Sequence, residues 1–184
     1  MGAPRRDMAP ARLEFSRCGP PSGRGEDVSV VFDLMIHDLD IARLYGFGGP
    51  QKVSACGDRH ETVATLTFEE GRQCSFVASR RTESRRRLLK ATYEDGVVEI
   101  DFINRRITDT TPAALASSEC VTSCAFADPL GASVEAFFSS VLDGARTMAD
   151  GKAGRGALEW ALMIEEAREA LNSETRESNK RLIA

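Results

Sequence analysis

No apolar run in this sequence approaches the roughly 20 residues of a membrane-spanning helix. The two arginines in the opening MGAPRRDMAPARLEF have no apolar stretch behind them, so no secretory signal is expected. A large excess of charge of one sign is also lacking. A net charge of −4 gives no footprint for nucleic acid or an anionic membrane as partner; the local exception is the basic run Arg80–Arg81 and Arg85–Arg87. Five cysteines (Cys18, Cys56, Cys74, Cys120, Cys124) are an odd number with no CxxC pair and no histidine near Cys120 and Cys124, which argues against zinc and against a disulfide framework. Cys56 and Cys74 fall in strand-like stretches, where a thiol acts as a small hydrophobe, and reduced cysteines in a cytoplasmic protein are the expectation. What remains is 184 residues, 42% apolar and 28% charged, the make-up of one globular domain long enough to bury a core.

Residues 1–10, rich in Pro and Arg, read as a disordered lead, 11–172 as a single domain and 173–184 as a fading polar tail. Ala11–Cys18 reads as a first strand, followed by a turn-rich loop, GPPSGRGED. Val30–Tyr45 is then a short helix, ended by Gly46 and Pro50. Gly46–Gly49 follows a helix rather than leading into one, so it is not a phosphate loop. From there the period changes to two. Lys52–Gly57, Glu61–Phe68, Arg72–Ser79, Arg87–Tyr93, Val97–Asp101 and Arg106–Asp109 read as short strands joined by tight turns, an antiparallel meander. Ala113–Asp128 is an irregular crossing loop. Ser133–Ala145 carries an apolar stripe (Val134, Phe137, Phe138, Val141, Leu142, Ala145), and Gly156–Leu171 is a helix facing inward through Ala157, Trp160, Ala161, Ile164, Ala167 and Leu171, with Glu165, Glu166, Arg168 and Glu169 on its solvated side. The expected fold is α+β: an open, mostly antiparallel sheet of about six strands with three helices on one face. The other face then needs a cover, and a second copy of the sheet supplies one, giving a homodimer.

The chemistry concentrates in VVFDLMIHDLDIARLY, Val30–Tyr45. Asp33 and His37 are four apart and share a helix face, where a carboxylate orients an imidazole for general acid–base work. Asp40 continues that face and Asp38 points elsewhere. The plainer alternatives are that Asp33 is an N-cap and His37 a hydrogen-bonded core histidine. A metal site at Asp33, His37 and Asp40 lacks a second imidazole or thiolate at ligand spacing. Arg17 and Arg24 bracket the loop before this helix, either as solvated arginines or as an anion clamp. His60, on a turn, reads as surface.

Phe15–Asp40, FSRCGPPSGRGEDVSVVFDLMIHDLD, resembles the start of the C-terminal domain of the glucose–fructose oxidoreductase / inositol dehydrogenase (Gfo/Idh/MocA) family. The Ser79-Arg80 pair ending a strand and the closing stretches DPLGASVEAFFSSVLDG and GRGALEWALMIEEA resemble it too, so the likeness runs from about Leu13 to Leu171. DLMIHDLD and ASRR are most like the family's UDP-N-acetylglucosamine 3-dehydrogenase-like members. The resemblance implies the family's C-terminal-domain fold, that of the glyceraldehyde-3-phosphate dehydrogenase C-terminal domain, and an NAD(P)-dependent dehydrogenase acting on a sugar, sugar nucleotide or cyclitol. It implies His37 as proton donor or acceptor beside Asp33, and Arg17, Arg24 and Arg80 as substrate-holding residues. Arginines 81 and 85–87 extend that patch or form a solvated bend. The family's Rossmann domain, with its glycine fingerprint, and its Glu-Lys-Pro lysine have no counterpart here. This chain by itself is thus expected to bind no cofactor and to be inactive without a Rossmann half, either as a truncated copy or as partner to a separate Rossmann subunit. The alternative is a non-catalytic sugar-phosphate-binding or dimerisation module. His37→Ala is expected to leave folding intact, and Phe137→Ala or Trp160→Ala to open a cavity.

Overall fold

The computed structural model describes residues 9–23, 25, 27–112, 127–147 and 150–183, with side chains as far as 175. The expectations for 1–8, for Arg24, for most of the crossing loop and for Cys120 and Cys124 lie outside the described residues. Period-two alternation yields seven strands: β1 (Arg12–Cys18), β2 (Lys52–Gly57), β3 (Glu61–Thr67), β4 (Gln73–Ser79), β5 (Arg86–Tyr93), β6 (Gly96–Asp101) and β7 (Arg106–Asp109). They form one open sheet in the order β2-β3-β4-β1-β5-β6-β7. Every pairing is antiparallel except β1 with β4, which is parallel. The meander is therefore split: β1 sits between β4 and β5, and residues 80–85 must cross over its end. A pattern of local turns carries no sign of a strand inserted from some 60 residues upstream.

One face of the sheet is apolar because Leu13, Phe15, Ala64, Leu66, Cys74, Phe76, Leu89 and Ala91 fall at alternate positions, and all are buried. Phe15 and Phe76 stack across β1 and β4 at 5.1 Å. The cover is a helix beginning with a π-helical turn at Val31–Met35 and continuing as α1 (Ile36–Arg43), together with the far longer α3 (Gly151–Ile183), which packs on β2 and α1. Trp160 of α3 meets Phe68 at 5.3 Å and lies under the Arg43 guanidinium.

Four expectations for the helices are corrected. α2 (Pro129–Leu142) starts earlier than its stripe suggested, because Asp128 caps it (Gly131 N–H to Oδ1, 3.0 Å) and Pro129 suits the first turn. It does not cover the sheet: Val134, Phe137, Phe138 and Val141 are all exposed, Phe137 to 63%. α3 starts at Gly151, capped by Asp150 (Ala153 N–H to Oδ1, 2.8 Å), and runs through the supposed tail, which contains no Gly or Pro to stop it. Finally, Leu171 is exposed whereas Glu165 and Arg168 are buried. Arg168 donates to Glu165, to Ser29 Oγ (3.3 Å) and to Thr62 Oγ1 (3.4 Å), and Ser29 Oγ donates to Glu165, so the charges are paired inside rather than solvated, although Arg168 Nε is buried without a hydrogen-bond partner among the described residues. The opposite sheet face stays open, with Val63 and Leu88 exposed among Ser, Thr and charged residues. No described helix is long and apolar enough to cross a membrane.

Candidate functional site

The crossing of residues 80–85 over β1 builds the site. Cys18 pairs in register with Ser79 on one side and Arg86 on the other, so both ends of the connection converge on the end of β1. Alternation decides which side chains meet there. Arg17 follows Leu13 and Phe15, Arg80 follows Phe76 and Ala78, and Arg87 precedes Leu89 and Ala91, all on the helix-covered face. The result is a cleft of about 130 Å³ lined by Arg17, Asp33, Ser79, Arg80, Arg85 and Arg87 among others.

Two of these arginines are fixed by carboxylates of the helix. Arg17 donates twice to Asp38, from Nη2 to Oδ1 at 2.6 Å and from Nε to Oδ2 at 3.0 Å. Asp38 is buried, and that burial raises its carboxyl pKa, while the hydrogen bond and charge of Arg17 pull it back down. Arg80, itself buried, donates from Nη2 to Asp33 Oδ2 at 2.8 Å and from Nη1 to the Val28 carbonyl at 2.9 Å. It ties the end of β4 to the helix entry. Gly25 lies against Asp33 with φ +66°, and a Cβ there would sit about 3.2 Å from the carboxylate. Ser79 is turned to Glu61, donating at 2.6 Å.

Asp33 therefore belongs to Arg80, and no hydrogen bond joins it to His37 among the described residues. His37 is exposed and is not part of the cleft wall, but Leu34 and Asp33, about one turn earlier, both are. The core-histidine alternative does not describe this residue, and the N-cap alternative does not describe Asp33, which lies inside the helix, two residues past its first at Val31; before it, Ser29 Oγ accepts the Val31 N–H at 3.1 Å. Asp38, which sequence reasoning turned away, is the residue that holds Arg17. Arg85 and Arg87, a patch or a solvated bend on sequence alone, both line the cleft. The parity of Arg87 with Leu89 and Ala91 was the available signal. Arg81 points away, pairing with Asp58 at 2.8 Å, and His60 is half-buried on its turn.

A dinucleotide pyrophosphate needs free amides at a helix N-terminus. Here the helix entry offers none over its first four residues. Val30 N–H donates to the Arg59 carbonyl, Val31 N–H to Ser29 Oγ, and Phe32 and Asp33 N–H both to the Ser29 carbonyl. That entry therefore leaves no free amide for a pyrophosphate. Among the described residues there is no group of three His, Cys, Asp or Glu placed to hold a metal ion.

No family model matches the chain. Among curated proteins it is similar to the UDP-N-acetylglucosamine 3-dehydrogenase of Acidithiobacillus ferrooxidans, 30% identical over 174 residues, covering 88% of this chain and 56% of that protein. The solved structure of that enzyme superposes with a TM-score of 0.72 at 29% identity, over 88% of this chain and 54% of the other. The myo-inositol 2-dehydrogenase of Lactobacillus plantarum shares the fold, with a TM-score of 0.66 at 16% identity over 88% of this chain and 55% of the other. The chain thus spans about half the length of the proteins it matches. In sequence it is similar to a dehydrogenase of the Gfo/Idh/MocA type, and its fold is that of the family's C-terminal, open-sheet domain.

Proposed function

We propose that this chain is the substrate-binding and proton-transferring part of an NAD(P)-dependent sugar-nucleotide oxidoreductase. One observation carries the reading: a cleft rich in arginine opens about one helical turn from an exposed imidazole. The relative from A. ferrooxidans, named for UDP-N-acetylglucosamine, suggests the substrate. An imidazole is the side chain best suited to accepting a hydroxyl proton near neutral pH. In this reading the sugar hydroxyl faces His37 while the remainder of the substrate occupies the cleft. Asp33 does not orient the ring directly; clamped by Arg80, it fixes the turn that carries His37. Hydride acceptance belongs to a Rossmann half, in the same or a separate polypeptide, and the chain alone is inactive. The closed helix entry favours, as a second reading, a non-catalytic module that binds a sugar phosphate or dimerises.

The open sheet face, with Val63 and Leu88 exposed, supports a homodimer formed through it. Reduced thiols at Cys18, Cys56 and Cys74 suit a cytoplasmic setting.

Isothermal titration of the chain with UDP-N-acetylglucosamine tests the proposal. Saturable binding at one site per chain, weakened by blocking the cleft with Ser22→Trp, is expected. Heats no larger than dilution at millimolar ligand would remove the sugar-nucleotide reading.

A further inference from the structure

The basic run at 80–87 divides by counter-ion. Arg80 is neutralised by Asp33, Arg81 by Asp58, and Arg86 reaches back toward the Cys18 sulfur at 3.8 Å. Arg85 and Arg87 have no carboxylate within ion-pair distance among the described residues, and both line the cleft at its exposed mouth.

The sheet register adds to the imbalance. Arg87 stands directly opposite Arg17 across β1 and β5. Like charges in that relation repel. Asp38 relieves Arg17 with a bidentate pair, and Arg87 reaches that carboxylate only through space. Four arginines against Asp33 and Asp38 leave the cleft with two uncompensated positive charges, both on its outer side.

We infer that Arg85 and Arg87 together grip the diphosphate of a nucleoside diphosphate sugar, and that Arg17 and Arg80 form the wall against which it rests. The inference builds on the sugar-nucleotide reading above and moves the anion-binding role away from the arginines whose hydrogen bonds are already taken. A sugar nucleotide bears one negative charge on each of two adjacent phosphates, matching the two unpaired guanidinium groups. Each guanidinium fork can donate two parallel N–H bonds to phosphate oxygens. Two residues apart at the entry to β5, where alternate side chains share a face, both line the same cleft and can meet the ligand from one side. The sugar then extends along the helix toward Leu34 and His37.

Titration calorimetry with UDP, inorganic pyrophosphate, uridine and UDP-N-acetylglucosamine separates the possibilities. The variants are the pair Arg85→Ala/Arg87→Ala and a charge-matched pair, Arg81→Ala/Arg86→Ala. All four positions are exposed, and thermal melts verify that each variant is folded. The first pair is expected to weaken UDP binding about tenfold or more, as loss of charge-assisted hydrogen bonds does, and to flatten its salt dependence. The second pair should stay within about threefold. Uridine should bind weakly to all. UDP binding that is indifferent to the first pair, or equally damaged by the second, overturns the assignment. UDP-N-acetylglucosamine binding that ignores Arg85 and Arg87 leaves the sugar-nucleotide reading standing without this grip. Pyrophosphate binding that depends on the pair while UDP-N-acetylglucosamine binds no tighter than pyrophosphate leaves the grip and removes the sugar-nucleotide reading.

Discussion

Asp33 accepts a hydrogen bond from Arg80 at 2.8 Å, and the same guanidinium holds the Val28 carbonyl at 2.9 Å. One buried cation thus fastens the helix entry to the end of β4, and His37 is left exposed to solvent. Arg80→Ala should cost about 2–4 kcal/mol, because it removes a buried side chain and leaves a carboxylate and a carbonyl without their donor. His37→Ala should fall within about 0.5 kcal/mol of the parent. Urea denaturation of both variants checks the contrast; comparable losses would place His37 in the interior.

The contrast between α2 and α3 marks how much the sequence discloses. The strands, their turns and the inward faces of β1, β3 and β4 follow from alternation, because each residue there has one of two faces to occupy. The apolar stripe of α2 is legible as a helix but not as a buried one. Periodicity names the face that prefers burial, and whether a partner reaches it is a tertiary fact. Glu165 and Arg168 mislead in the opposite direction: they read as solvated because their partners, Ser29 and Thr62, lie over 100 residues away. The site was half visible. DLMIHDLD locates His37 and Asp33, but the pairing of Asp33 with Arg80 and of Asp38 with Arg17 depends on β1 lying between β4 and β5.

Trp160 and Phe137 should respond to truncation in different ways. Trp160 is buried against Phe68, so Trp160→Ala opens a cavity worth about 3–5 kcal/mol. Phe137 is exposed, and Phe137→Ala should change stability by no more than about 0.5 kcal/mol. Chemical denaturation midpoints measure both; a large loss at Phe137 would mean that α2 is covered in solution.

Arg168→Met strands Glu165 as a buried, unpaired charge and should cost about 3–5 kcal/mol. The double variant Glu165→Leu/Arg168→Met removes both charges and should recover part of that loss. A double variant no more stable than the single one would show that the pair's packing, not its charge, holds α3 to Ser29 and Thr62.

Asp38 gives a pH signature. Burial raises its carboxyl above the ordinary 3.8, against the opposing pull of Arg17. A carboxyl with a raised folded pKa holds its proton more tightly when folded, so its contribution to stability falls as pH climbs from about 3.8 through the raised value, then levels. Asp38→Asn lacks that descent. The urea midpoint of the variant relative to the parent should therefore rise with pH across this window, whatever constant offset the lost Arg17 pair introduces. Parallel profiles would contradict the raised value.

The central claim is that a sugar nucleotide in the arginine cleft brings its sugar to His37. The protein has two histidines, so imidazole ¹⁵N resonances are few and His37→Gln assigns them. On titration with UDP-N-acetylglucosamine, the His37 ring nitrogens should shift saturably, with the same midpoint as the calorimetric binding curve. A His37 imidazole that stays unmoved while the cleft fills would contradict the account.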